Sequence, residues 1–132
     1  MGRGLRQGCP LAPLLFVLVM EGLSVLIKKA KEDGDLHGLH INEIMYLIHL
    51  LFFDDVLIFL DGSGQDSIQF EKILQIFCRP TGMIPNSNKS TIIMTRCSIR
   101  EQGITSALFD YVPNNIEVGL KYLGFHLKPN DY

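Results

Sequence analysis

Polar and apolar positions change rhythm several times along this chain, and each rhythm predicts an element. From Leu11 to Lys31 apolar residues recur at Leu14, Leu15, Leu18, Val19, Leu23, Val25, Leu26 and Ile27, the spacing of a helix, with Pro13 tolerated in the first turn. So apolar a run predicts a helix buried on nearly every side. Lys28, Lys29 and Lys31 gather at its far end, where they complement the helix dipole before a turn at Asp33-Gly34-Asp35. From Leu36 to Leu60 the pattern becomes strand-like, rich in Ile, Leu, Phe and Tyr, and predicts a β-hairpin whose tip carries Phe53-Asp54-Asp55. Gly62-Ser63-Gly64 breaks the chain, after which Ile68, Phe70, Ile73, Leu74 and Phe77 mark an amphipathic helix ending near Cys78. Pro80, Gly82 and Pro85 make a stiff loop into the strand-like KSTIIMTR (89–96). Between Ser98 and Asn115 the periodicity is too weak to assign anything. LKYLGFHL (120–127) reads as a short hairpin or two strands bent at Gly124. Helices and strands in this order place the chain in the α+β class.

Composition narrows this picture only slightly. With 132 residues, 47% hydrophobic and 20% charged, the chain is long and apolar enough for one domain with a real core. A net charge of -2 gives no basic footprint, so contact with nucleic acid must come from local clusters or from parts of a longer protein. Cys9, Cys78 and Cys97 are odd in number and widely spaced, with no CxxC and no zinc-ligand spacing. They fit a reduced, intracellular setting, nucleus or cytoplasm rather than secretion, with an organelle left open. The basic start and apolar run of the first 22 residues superficially resemble a secretion signal. Pro10 and Pro13 open the run, Glu21 closes it, and no small-residue cleavage pattern follows. The apolar stretch is read as too short to cross a membrane, so no membrane partner is expected. The glycosylation acceptor Asn88-Lys89-Ser90 carries no weight without secretion.

The candidate chemistry sits in LLFFDDVLIFL (50–60). Two adjacent carboxylates flanked by buried strands would repel each other and lose hydration, so each would be hard to ionise without a compensating cation. A hard divalent ion, Mg²⁺ or Mn²⁺, suits oxygen ligands on a rigid apolar support. Asp-Asp also serves as an ordinary solvated turn, and the dipeptide alone does not choose. DGSGQD (61–66) is not a calcium loop, because its glycine is misplaced and the twelfth position is Lys72. His37, His40, His49 and His126 show no mutual ligand spacing and read as surface or strand residues.

Four blocks, taken together, resemble the reverse transcriptases of non-LTR (LINE-type) retrotransposons. RGLRQGCPLAPLLF (3–16) is similar to the Arg-Gln-Gly-x-Pro-Leu-Ser-Pro segment before a palm helix, and IHLLFFDDVLIFL (48–60) to the family's Phe-Ala-Asp-Asp block. FCRPTGMIPNSNKS (77–90) looks like the Ser-Gly-Leu-x-x-Asn-x-x-Lys-Ser block, and LKYLGFHL like the Tyr-Leu-Gly segment. The order and spacing agree over nearly the whole chain. The resemblance implies a partial polymerase palm and, in the intact family, two-metal nucleotidyl transfer: a primer hydroxyl attacks a dNTP on an RNA or DNA template-primer. It makes Asp54 and Asp55 the catalytic metal ligands and Lys89 a candidate for neutralising or protonating departing pyrophosphate. It also sets Arg6, Gln7, Gly8 and Phe53 at the nucleotide and template, with Arg3 a further phosphate contact. Lys89 reads equally as a surface lysine, and the arginines as merely solvated.

The resemblance also implies a third carboxylate on an earlier strand, which would precede Met1, and fingers and thumb that fall largely outside the chain. The expectation is therefore a fragment without polymerase activity of its own, its hydrophobic hairpin edge open to self-association. Phe53 stands where the family usually has Ala, and Ala12 where it has Ser. Both substitutions suit a decaying or truncated retroelement copy. Alternatives are a group II intron maturase-type reverse transcriptase fragment, or a non-enzymatic vestigial or binding module with a palm core.

Overall fold

The computed structural model of the chain describes residues 9–128. Among these residues it has three helices and eight short strands, an α+β arrangement. The first helix, α1, spans Leu11–Glu32, close to the predicted range. It is not buried on every side: Met20, Leu23, Ser24 and Ile27 face the core, whereas Leu14, Leu18 and Val25 are exposed. One stripe packs against the second helix, and no described element covers the opposite face. With 22 residues and a mean hydropathy of 2.0 over its most apolar window, α1 is long and apolar enough to cross a membrane by length and composition. The expectation that this stretch is too short is thereby corrected; its buried stripe belongs to the core.

The region read as one hairpin contains two. Strands β1 (Leu39–His40) and β2 (Tyr46–Leu47) pair antiparallel, followed by β3 (His49–Phe52) and β4 (Asp55–Ile58), with Phe52 opposite Asp55. Helix α2 then runs Gly64–Thr81. Ser63 caps its start by accepting from the Asp66 N–H at 3.1 Å, and Gly82, left-handed at φ 68°, closes its end by donating to the Cys78 carbonyl. The helix outlasts the predicted stop at Cys78. Pro80 lies in the last turn, where it forfeits a single i→i−4 bond just before the helix ends, and Thr81 Oγ1 donates to the Phe77 carbonyl at 2.7 Å.

Beyond α2, β5 (Thr91–Ile93), α3 (Ile99–Leu108) and β6 (Val112–Asn114) form a parallel strand-helix-strand unit. Neither α3 nor β6 is expected from periodicity, because α3 buries none of its own residues and so shows no apolar stripe. The missed signal is Ser98-Ile99-Arg100-Glu101: Ser98 Oγ accepts from the Glu101 N–H while Glu101 accepts from the Ser98 N–H, a complete capping box. The final hairpin, β7 (Leu120–Tyr122) and β8 (Phe125–Leu127), matches the predicted bend at Gly124, with Leu123 also left-handed in the turn. A single mixed or antiparallel palm sheet is not formed among the described residues; the strands pair only two by two.

The core joins Met20, Leu23 and Ile27 of α1 to Leu36, to Phe70, Ile73 and Phe77 of α2, and to Phe109. At its edge lies the fully buried carboxylate of Asp66, in the first turn of α2. Backbone N–H groups of His37 (3.0 Å), Gly38 (3.0 Å) and Asp61 (3.2 Å) donate to it, and His37 Nδ1 lies 3.0 Å away. Gly38 sits at φ 75° with Ile48 so close that a Cβ would lie 2.5 Å from its Cγ1, so this position requires glycine. Burial opposes ionisation of Asp66, but the donors at Gly38, His37 and Asp61 together outweigh it and hold the carboxyl below its ordinary value.

A depressed folded pKa contributes stability that is complete above the unfolded carboxyl value and fades as pH falls through the folded one. Asp66→Ala, which strands three N–H donors, is expected to lower unfolding free energy at pH 7 by about 3 kcal/mol in urea titrations. The variant should also lose part of the acid sensitivity of the parent. A change below about 1 kcal/mol with an unaltered acid profile would show that these donors find other partners.

Candidate functional site

The hairpin β3–β4 positions the acidic pair through its register. Leu51 opposite Val56 and His49 opposite Ile58 share the face that packs inward, while Leu50 opposite Leu57 and Phe52 opposite Asp55 share the other. Only Phe53 and Asp54 separate the strands, so Asp54 occupies the turn and Asp55 begins β4. The turn places Phe53 at φ 52°, a left-handed conformation that costs a residue with a Cβ about 1 kcal/mol. The Ala usual in the resembled family would bear the same strain, since the penalty comes from Cβ. Phe53 is 60% exposed and meets Phe52 edge to face, with centroids 5.2 Å apart.

Asp54 and Asp55 are both exposed. The expectation that they lose hydration between buried strands is corrected: a two-residue turn lifts them clear of the core. Neither carboxylate hydrogen-bonds or ion-pairs with another described side chain, so their oxygens are available to a hard cation. As a donor set they fit part of the shell of Mg²⁺ or Mn²⁺. Among the described residues no third carboxylate, histidine or cysteine converges on them.

The other sequence-derived candidates fall elsewhere. Lys89 is exposed in the turn before β5, its N–H donating to the Asn86 carbonyl at 3.0 Å, and it makes no ion pair with Asp54 or Asp55. Arg3, Arg6, Gln7 and Gly8 lie outside the described residues.

Two polar contacts near the hairpin escape sequence reasoning. Ser24 Oγ, buried in the middle of α1, lies 2.6 Å from His49 Nε2 at the base of β3. Partners 25 positions apart leave no local pattern to read. Burial chiefly, and then the Lys28 ammonium, push the His49 pKa down against a weaker pull from Glu21. The second contact is the group His37, Asp61 and Asp66, whose ligand atoms lie within 4.8 Å of one another. It is poorly suited to a cation, because both Asp66 oxygens already receive N–H donors that set positive dipoles where an ion would bind. Asp61 is likewise engaged, accepting from the Ser63 N–H at 2.7 Å.

The family model described as "Reverse transcriptase (RNA-dependent DNA polymerase)" matches residues 1–127. An uncharacterized mitochondrial protein of Arabidopsis thaliana is 52% identical over 54 residues, covering 40% of this chain. The aligned region spans 44% of that relative's length.

A base whose folded pKa is lowered stays neutral while the unfolded chain takes up a proton, so stability should fall as pH drops below the ordinary histidine range. Following imidazole resonances by NMR, His49 is expected to titrate below 6.5, its ordinary value, and Ser24→Ala to change that midpoint. A midpoint at or above the ordinary value would contradict the burial of this ring.

Proposed function

The chain belongs to the reverse transcriptase (RNA-dependent DNA polymerase) family, and from that premise we propose that its β3–β4 hairpin is the metal-ligand hairpin of a LINE-type polymerase palm. Intact members of the family use divalent metal and bind a nucleic-acid template-primer. The observation that carries the proposal is the register of the hairpin, which sets Asp54 and Asp55 at a two-residue turn with no other described partner for their oxygens. Mg²⁺ or Mn²⁺ held there would stabilise charge on the reacting phosphate and hydroxyl oxygens. The chain's own part is to present two adjacent carboxylates on a support fixed by Leu51, Val56 and Ile58. Arg6, Gln7, Gly8 and Phe53 are proposed to meet nucleotide and template, and Lys89 the pyrophosphate. LLFFDDVLIFL (50–60) followed by TGMIPNSNKS (81–90) supports LINE-type over maturase-type ancestry.

As this chain alone, the hairpin is proposed to be inactive, since no third ligand converges on it among the described residues. Three unpaired cysteines support an intracellular setting. Two measurements test the proposal. Calorimetric titration with Mn²⁺ should show weak binding, reduced at least about tenfold by Asp54→Ala or Asp55→Ala. Primer extension by the purified chain with Mg²⁺ or Mn²⁺ should give no template-dependent product. Mn²⁺ binding that ignores both substitutions would remove the metal reading; synthesis abolished by Asp54→Ala would overturn the proposed inactivity.

Self-association is a second part of the proposal. The β3–β4 sheet has two strands, so among the described residues each has an unpaired outer edge, beside the exposed side chains of Leu50 and Phe52. Equilibrium sedimentation should find dimers or larger species at micromolar concentration. A clean monomer across that range would count against an open, adhesive edge.

A further inference from the structure

Among the described residues, the Ser24–His49 contact is the single hydrogen bond between side chains of α1 and the β3–β4 hairpin. It lies at a mechanically useful place. His49 is the first residue of β3 and points to the inward face shared with Leu51, while Asp54 and Asp55 stand at the far end of the same hairpin. Four residues of strand carry the chain from this anchor to the turn, roughly 13 Å at the usual rise. Apolar packing by Leu51, Val56 and Ile58 holds the hairpin against the core but is non-directional. A 2.6 Å bond between a buried hydroxyl and an imidazole nitrogen fixes one distance and one line of approach.

We propose that Ser24 and His49 are positioning residues for the acidic tip: their bond sets the pitch of the hairpin on α1 and so the place at which Asp54 and Asp55 present their oxygens. The proposal rests on the metal reading above for its functional meaning, but not for its geometry. Ser24 alone would be an unremarkable helix hydroxyl, free to donate back to the carbonyl four residues earlier. His49 alone would be a half-buried ring. Together they join an element of the core to the element that carries the site.

The test uses the full chain and four variants: Ser24→Ala, His49→Leu, their double variant, and His49→Gln, whose amide can still reach Ser24. Mn²⁺ binding is read by electron paramagnetic resonance, and order in the hairpin by amide hydrogen exchange. Both single variants should weaken Mn²⁺ about tenfold, the double no further, and His49→Gln should recover most of the loss. Exchange in β3 and β4 should accelerate by a similar factor, while the core amides of α2 keep their protection. If the parent chain shows no Asp54-dependent Mn²⁺ binding, the metal reading fails, and the exchange data alone decide the positioning claim. Unchanged hairpin exchange in Ser24→Ala and His49→Leu, or losses that simply add in the double variant, would overturn it.

Discussion

A carboxylate with no exposure to water holds this structure together. Asp66 sits in the first turn of α2, where the helix dipole and Ser63 already favour its backbone, and its side chain collects N–H donors from His37, Gly38 and Asp61. These donors come from two separate stretches of the chain. His37 and Gly38 precede the two hairpins, and Asp61 follows them, so the segment from β1 to β4 leaves and returns at one buried anion. The desolvation that a buried carboxylate incurs is offset because each oxygen meets more than one donor. The excursion that carries Asp54 and Asp55 is therefore clamped at both ends.

From that root to the tip, order comes from successively different sources. Apolar packing of Leu51, Val56 and Ile58 sets the hairpin on the core, and the hydrogen bond between Ser24 and His49 gives it direction. The turn itself projects into solvent, with Phe53 left-handed and both carboxylates exposed. Two acidic groupings thus have opposite characters. The one around Asp66 is saturated with internal donors and structural. The one at the tip has unused oxygens, as a cation site needs.

Legibility in the sequence followed whether a signal was local. The helix over Leu11–Glu32, the amphipathic α2 and the tip of the acidic hairpin could be read because their patterns lie within a few residues. Helix α3 could have been found from Ser98 and Glu101, but its lack of an apolar stripe hid it. The exposure of the far face of α1 was not legible, since composition reports how apolar a helix is and not how much partner surface is available to cover it. Likewise, the partnership of Asp66 with residues 28 and 29 positions away, and of Ser24 with His49, depends on tertiary placement that periodicity does not contain. Family resemblance located the carboxylates, but their freedom from internal partners came only from the fold.

The contrast between the two acidic groupings is the central claim, and Mn²⁺ broadening of backbone amide resonances tests it most directly. At substoichiometric ion, amides from Phe52 to Val56 should broaden first, while those of His37, Gly38, Asp61 and Asp66 stay sharp. Broadening centred on Asp61 and Asp66, or spread evenly over every exposed acidic residue, would contradict it.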